Sequence, residues 1–391
     1  MNKSIAFLTL LSITSCVKAE QINQPIAPDF NIIKVATNGE PYRCEGNAII
    51  THDQSKTNFT TLKYFGTSIS IDVYDKDNKN IEEALCHALN VVQKYHYLAS
   101  NYSTYPHVTN IKSINNNPDK THQIDPKLTD LLAASIEWHD KTNGYFNIAL
   151  SPVIDLWRSY RAQCKGERKE QDKCQIPSDA ELNSVANLTN IHDISLNTDL
   201  NTVKLKPGMS IDLGGIAKGW MAEMVYLQLK KDGVNNFMIN AGGNIRHYGV
   251  HPEGRNFTTA IENPICKKYN NQLPQCQNFE DLYHEVITGQ DITVVSSGNY
   301  LRYYRVNGKE YHHIINPKTL KPKITGVSAT LVMQNNQIYA DIISTALFLM
   351  PIDEALVYAD NNPGFEAVWF LNYVGDKTES KGFNNYRLEQ P

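Results

Sequence analysis

The sequence predicts an α+β (mixed α/β) fold: one compact domain with mixed, largely antiparallel sheets and flanking helices. Three observations predict it. Helical and strand-like patterns intermix along the chain, and several strand candidates look antiparallel, including a pair broken at Ser296–Gly298. Neither an internal repeat nor a linker divides the interior of the 391 residues, a length that one large domain can fill.

Helices are predicted where apolar residues recur every three or four positions. They cover Ile81–Tyr97, Pro126–Thr142, Asp179–Val185, a stretch running through Ala222–Tyr226, and Ile338–Met350. The segment Ala99–Asn117, rich in Ser, Asn and Thr, is predicted to be loop.

Strands are predicted where β-branched and apolar residues alternate or run together between turn residues. The candidates are Leu62–Tyr74, Phe237–Arg246, Ile292–Tyr304, Gly326–Met333 and Glu366–Leu371. A polar hairpin is predicted around Asn197–Asn201.

The N-terminus is typical of an export signal. Lys3 precedes a short apolar run, Ile5–Leu11, which is too short to span a bilayer. We favour a lipobox at Ile13–Cys16, in which Cys16 receives lipid, over ordinary cleavage after Val17–Ala19. The chain is therefore expected in the bacterial periplasm, held at the membrane by its lipid anchor.

Composition narrows the possible partners. Lys and Arg total 37 against 41 Asp and Glu, so no basic excess indicates a nucleic-acid partner. Beyond the signal, no stretch is apolar enough to cross a membrane.

Six cysteines remain after Cys16, an even number that indicates disulfides in an exported chain. Cys164 with Cys174, and Cys266 with Cys276, each bracket a polar loop, and Cys44 with Cys86 then pair by elimination. The spacing lacks a zinc pattern, no histidine cluster completes one, and there is no Cys-x-x-Cys.

The most informative segment is Ile211–Met221. A strand-like lead-in ends in Asp212, two glycines follow, and a helix opens at Lys218. Glycines let backbone N–H groups approach an anion, and the helix N-terminus adds partial positive charge. The segment predicts a phosphate site.

A second group predicts a hard-cation site. Asp341 and Thr345 are four residues apart on a predicted helix, so their oxygens lie on one face. Mg²⁺ needs few protein ligands when phosphates and water supply the rest. Each group also has an ordinary structural interpretation: Gly-Gly pairs are common turns, and Asp341 near a helix start can complement the helix dipole. The prediction of a phosphate and cation site therefore depends on the presence of both groups in one chain.

Seven blocks, in order, resemble the ApbE-like family of FAD:protein FMN transferases. The blocks are Phe65–Thr67, Phe146–Trp157, Ile211–Gly219, Gly242–Asn244, Ser296–Arg302, His312–Pro317 and Ala340–Ala346. The resemblance implies an ApbE-like (T-fold-like) domain over 61–375, preceded by a signal peptide over 1–19 and a linker over 20–60, and followed by a C-terminal tail over 376–391.

The resemblance also implies a reaction. FMN would pass from FAD to a Ser or Thr hydroxyl of an acceptor protein, with Mg²⁺ present and AMP released, and the acceptor would be an extracytoplasmic electron-transfer subunit. The alternatives are an FAD pyrophosphatase and a non-catalytic flavin-binding lipoprotein.

Site residues follow from the matched blocks. The metal ligands would be Asp341, Thr345 and the carbonyl near Gly215. His313, chosen for its titration range, would act with Asp341 in catalysis, although a metal-bound or neighbouring carboxylate is a rival base. Flavin contacts would fall on the following residues: Phe65, Tyr145, Phe146, Asn147, Asp212, Lys218 and Ile315.

The chain departs from the family pattern at three positions. Phe65 replaces a Met, and Asn147 and Asn316 each replace an Asp. The loops that carry Cys164–Cys174 and Cys266–Cys276 also look like insertions. Two lost carboxylates would alter flavin or metal contacts.

Overall fold

A large antiparallel sheet is the centre of the fold. The computed structural model describes residues 44, 47–75, 80–164, 174–334 and 337–388. The strands in these residues are β1 Ile49–His52, β2 Thr57–Thr61, β3 Ile69–Val73, β4 His122–Gln123, β5 Ser195–Asn197, β6 Thr202–Lys204, β7 Phe237–Ala241, β8 Asn244–Tyr248, β9 Thr258–Glu262, β10 Tyr283–Thr288, β11 Ile292–Gly298, β12 Tyr303–Val306, β13 Lys309–His312, β14 Ile315–Asn316, β15 Lys321–Pro322, β16 Ser328–Gln334, β17 Phe365–Phe370 and β18 Lys377–Glu379. Nine of these strands form the central sheet, in the order β1-β2-β3-β7-β8-β11-β16-β17-β18.

Helices flank this sheet, as the sequence predicts. They are α1 Ile81–Ala99, α2 Ile111–Asn116, α3 Pro126–Lys141, α4 Ser151–Gln163, α5 Asp179–Ala186, α6 Ala217–Lys231, α7 Pro264–Lys268, α8 Ala340–Leu349 and α9 Ile352–Asn361. Of the described residues, none forms a helix long and apolar enough to cross a membrane.

The largest apolar cluster lies between one half of the sheet and helices α1 and α6. Alternate residues of β3, Ile69 and Ile71, are fully buried, while Ser70 between them lies on the other face. A strand with one buried face needs this period of two. The arrangement places the start of α6 against the sheet, which matters for the site.

A second cluster surrounds α8. This helix is apolar on nearly every side, and Leu347 and Phe348 are almost completely buried beside strand residues such as Leu331. A helix that is hydrophobic all round is expected inside a protein. Because α8 is fixed by packing along its length, its first turn, which carries Asp341, is held in place.

Both predicted domain boundaries fall inside the sheet and are corrected. Strands β1 and β2 lie in the predicted linker, and Phe59 of β2 is fully buried opposite Ile71. At the other end, β18 pairs with β17 and Phe383 is fully buried, so 376–388 is no loose tail. In each segment, one fully buried aromatic residue lies among polar neighbours. A single residue of this kind is too little to show the periodic hydrophobic pattern from which strands are predicted.

Three smaller expectations also change. The strand predicted at Leu62–Tyr74 is confined to Ile69–Val73. The lead-in Ile211–Leu213 is not a strand, and the predicted loop Ala99–Asn117 contains α2. Asn110 caps α2 by accepting a hydrogen bond from the Ser113 N–H, a local signal that a count of polar residues overlooks.

The six cysteines pair as the sequence predicts. The bonded pairs are Cys44–Cys86, Cys164–Cys174 and Cys266–Cys276, with Cα atoms 5.4, 5.3 and 5.5 Å apart. Such separations are ordinary for disulfides. The predicted signal peptide, 1–19, and the predicted lipidation site, Cys16, lie outside the described residues.

Candidate active site

The glycine turn before α6 forms the middle of the site. Asp212 Oδ1 accepts a hydrogen bond of 2.7 Å from the Gly214 N–H, which fixes the turn. A Cβ at Gly215 would lie 3.3 Å from the Phe146 ring, so the backbone there passes close against an aromatic face. The N-cap residue of α6, Ile216, has no side chain that can accept a hydrogen bond from the first turn, so the free N–H groups there need partners from elsewhere in the fold.

Asp341 is one of these partners and joins two helix N-termini. From the first turn of α8, its Oδ2 accepts a hydrogen bond of 3.0 Å from the Gly219 N–H and lies 3.9 Å from Lys218 Nζ. A Cβ at Gly219 would lie only 2.8 Å from the Asp341 Cβ. Glycine is therefore required for the two helices to approach, and the Asp341 carboxylate, 5% exposed, is held by backbone.

The residues proposed for Mg²⁺ fit a hard cation. Because the Gly219 N–H donates to Asp341, it does not close the usual helical bond to Gly215, and no hydrogen bond to the Gly215 carbonyl is found from the described residues. The Thr345 hydroxyl donates to the Asp341 carbonyl over 3.0 Å and lies 3.4 Å from Ser297 Oγ. A carboxylate, a carbonyl and a hydroxyl are oxygen donors of the kind that Mg²⁺ prefers.

The other end of the site carries positive charge. Arg158 lies 3.4 Å from Asp212 Oδ2, and one turn further along α4 is Arg161. Burial lowers the pKa of Arg161, and the neighbouring charges of Arg158 and Arg302 lower it further. Like charges held this close indicate a site prepared for an anion.

His313 belongs to this cationic end. Burial, and then the charges of Arg302 and His312, lower the pKa of His313 to about 3. Among the described residues, its buried Nδ1 has no hydrogen-bond partner. The His313 ring is therefore neutral in the free protein. The ordinary titration range of histidine, on which its predicted role as a base depends, does not apply to it there.

Two further blocks meet at a turn. Phe65 and Gly66 both have left-handed backbone, with φ of 56° and 62°, and a Cβ at Gly242 would overlap the Thr67 hydroxyl. The Phe65 N–H donates to His96 Nδ1 over 3.2 Å, and the ring is half-buried. This partly open aromatic ring can stack on a flavin.

The structure explains the asparagine at position 147 but not the one at position 316. Asn147 Nδ2 donates to the Thr189 carbonyl over 2.9 Å, and its Oδ1 accepts from the Ala149 N–H over 2.8 Å. An aspartate could not make the first bond. Asn316 Oδ1 only accepts, from the Lys318 N–H over 2.9 Å, a role that an aspartate also fills.

Two predicted flavin contacts lie in other apolar clusters. Tyr145 donates to Glu354 over 2.8 Å, and Lys318 Nζ lies 3.7 Å from the centre of its ring. Ile315 is buried beside Val153 and Trp157. The structure does not bring the side chains of Tyr145 and Ile315 to the glycine turn.

The arginines are the residues that sequence reasoning missed. Arg158 and Arg161 lie three residues apart on α4, and Arg302 closes a matched block 141 positions beyond Arg161. The helical spacing of the first pair was readable, but only the fold brings Arg302 to them.

A family model described as "ApbE family" matches residues 65–369 of the chain, well over half of it. Among curated relatives, "FAD:protein FMN transferase" of Vibrio cholerae is 29% identical over 58% of this chain and 62% of its own length. The protein of the same name from Haemophilus influenzae is 29% identical over 66% of this chain and 71% of its own length. The chain thus spans somewhat less than two thirds of the first of these relatives.

Solved structures show the same fold. The ApbE protein of Thermotoga maritima superposes with a TM-score of 0.69 at 23% identity, covering 88% of this chain and 100% of that one. The flavin transferase ApbE of Vibrio cholerae gives 0.68 at 21% identity, covering 87% and 99%.

Proposed function

This chain belongs to the ApbE family, and we propose that it transfers FMN from FAD to a Ser or Thr hydroxyl of an acceptor protein, in a Mg²⁺-dependent reaction that releases AMP. The names of its relatives support the transfer. The observation that carries the proposal is the junction at which Asp341 accepts from the Gly219 N–H beside Lys218, next to an arginine-lined end.

The reaction breaks one P–O bond of the FAD diphosphate and forms another. The acceptor hydroxyl oxygen attacks the FMN phosphorus, its proton passes to a base, and AMP leaves with the bonding electron pair. The protein must hold the diphosphate in line with the hydroxyl and stabilise the charge that develops.

Different residues bind the metal ion, the diphosphate and the flavin. Asp341, Thr345 and the Gly215 carbonyl would hold Mg²⁺, which, when bound, would neutralise the diphosphate and the developing charge. Arg158, Arg161 and Arg302 supply further positive charge for the diphosphate. The other contacts are assigned to the flavin: Phe65, Phe146, Asn147, Asp212 and Lys218.

His313 is neutral in the free protein, but bound phosphates would change that. A negative charge nearby favours the protonated ring and raises its pKa toward the range that suits proton transfer. The low value in the free protein, about 3, makes a neighbouring carboxylate a stronger rival for the base than the sequence suggested.

Co-expression with a candidate acceptor, an extracytoplasmic electron-transfer subunit, tests the proposal. The acceptor band should fluoresce in a denaturing gel with this chain and remain dark with Asp341→Ala. In a second arm, FAD and Mg²⁺ are supplied without acceptor. Rapid release of FMN and AMP there would favour a pyrophosphatase, and flavin retention without turnover in either arm would favour a binding protein; both results contradict the proposal.

We also propose that the chain is exported and anchored in the periplasm through lipid on Cys16. The three disulfides support an oxidising compartment. Metabolic labelling with a fatty acid should mark the wild type and leave Cys16→Ser unlabelled; equal labelling would contradict the anchor.

A further inference from the structure

Three potential metal ligands lie together outside the flavin site. His139 and Asp140 come from the last turn of α3, and His192 comes from the short 3-10 helix Ile191–Asp193. One ligand atom from each lies within 4.8 Å of the others, and no other such group occurs among the described residues. No local pattern predicts this group, because 53 positions separate His139 from His192.

His139 is oriented for a metal. Its Nδ1 lies 2.8 Å from the Phe146 carbonyl oxygen, which can only accept, so Nδ1 carries the proton. The lone pair of the neutral ring is then on Nε2. In metal sites, a ligating histidine commonly donates its other N–H to a carbonyl in this way, which fixes the ring.

The spacing of the other two ligands suits a tetrahedral ion. His192 Nε2 lies 3.4 Å from Asp140 Oδ1. An ion bound at about 2.0–2.1 Å in tetrahedral geometry holds its ligand atoms about 3.3 Å apart. The side chains of Asp140 and His192 are mostly exposed. Water can therefore occupy the fourth ligand position, and small side-chain rotations can bring the ligand atoms of all three residues to the ion.

We propose that His139, Asp140 and His192 bind a divalent transition-metal ion, with two imidazoles and one carboxylate that suit Zn²⁺. The ion joins the end of α3 to the turn that carries His192. Both segments are tied to the flavin site: His139 bonds to Phe146, and Asn147 bonds to Thr189, three residues before His192. The metal thus braces the loop that packs against Gly215. This inference does not depend on the proposed function.

Tag-free protein, stripped with a chelator, is titrated with Co²⁺ in excess Mg²⁺ and followed by visible absorption, then with Zn²⁺ by calorimetry. We expect one equivalent of Co²⁺ with the spectrum of a four-coordinate ion, and at least tenfold weaker binding in His192→Ala. Because His192 is exposed, its replacement leaves the fold intact; His139→Gln should weaken binding in the same way.

Two controls keep the result specific. His52→Ala removes another exposed histidine paired with a carboxylate, Glu82 at 2.9 Å, and should leave binding unchanged. Asp341→Asn alters the other cation site and should also leave it unchanged. Binding that survives His192→Ala, binding lost with Asp341→Asn, or no stoichiometric Co²⁺ or Zn²⁺ binding would overturn the inference.

Discussion

The two ends of the candidate active site are built on opposite principles. At the metal end, the Asp341 carboxylate is buried and fixed by backbone, with the Gly219 N–H 3.0 Å away. At the cationic end, burial and the like charges of Arg158 and Arg302 lower the pKa of Arg161. The segment Asp212–Gly219 spans both ends.

The difference shows which step of the reaction each end should affect. The metal end is set by packing before any ligand arrives, so changes there should affect the chemical step. The cationic end holds unfavourable charge repulsion that a bound diphosphate relieves, so changes there should affect FAD affinity and salt dependence.

The largest expected effect comes from Gly219→Ala at the metal end. The added Cβ lies 2.8 Å from the Asp341 Cβ and must displace that carboxylate. We expect FMN transfer to fall by about 10- to 100-fold, the range seen when a supporting contact of a metal ligand is lost. Single-turnover kinetics at saturating FAD measures the rate of FMN transfer. A variant that changes only FAD affinity would contradict the claim that the metal end acts on the chemical step.

At the cationic end, Arg161→Gln should weaken FAD binding by about tenfold, the loss of one charge-assisted hydrogen bond. The variant without ligand should melt at the same temperature as the wild type or higher, because one repelling charge is gone. Calorimetric FAD titration and thermal melting measure both quantities. A clearly lower melting temperature would show that Arg161 stabilises the free protein and would contradict the repulsion.

Acid should destabilise the cationic end through His313. Its pKa is lowered from 6.5 to about 3, so its contribution to stability is complete above pH 6.5 and is lost as the pH falls toward 3. The slope is at most about 1.4 kcal/mol per pH unit. Urea unfolding at several pH values should show a steeper acid loss for the wild type than for His313→Gln, and bound FAD should reduce the difference. Parallel curves without ligand would contradict this.

The smallest expected effect is at Asn147, beside the middle of the site. Asn147→Asp restores the family's residue but sets an acceptor against the Thr189 carbonyl. We expect a loss of about 1 kcal/mol in the free energy of unfolding and no gain in FAD affinity. Chemical denaturation and FAD titration measure these. A more stable variant would mean that the Asn147 bond to Thr189 is not what selects this residue.

The sequence predicts the metal end better than the cationic end, and local chemistry explains why. The segments around Asp212–Gly219 and Asp341–Thr345 each show their spacing within one element. Arg302 reaches Arg161 only through tertiary folding, as His192 reaches His139. The pKa of His313 depends on burial by distant segments, so no local pattern shows it.

The predicted fold class is confirmed, but the two ends of the domain were predicted wrongly, for a related reason. Helices such as α1 and α3 have several apolar turns and are confirmed within two residues at each end. Strand β2 and the segment around Phe383 each rely on one buried aromatic residue. Such segments gain their structure from neighbouring strands, which a linear pattern does not display.

The central claim is that Asp341 holds the catalytic cation at the junction of α6 and α8. Asp341→Asn tests it most directly, because an amide oxygen can still accept from the Gly219 N–H while the negative charge is lost. FMN transfer to an acceptor protein is measured by flavin fluorescence over a range of Mg²⁺ concentrations. The account predicts an unchanged fold and transfer reduced by about 100-fold at every Mg²⁺ concentration, because a metal ion's stabilisation of the developing charge is lost. Transfer at the wild-type rate and with the wild-type Mg²⁺ dependence would contradict it.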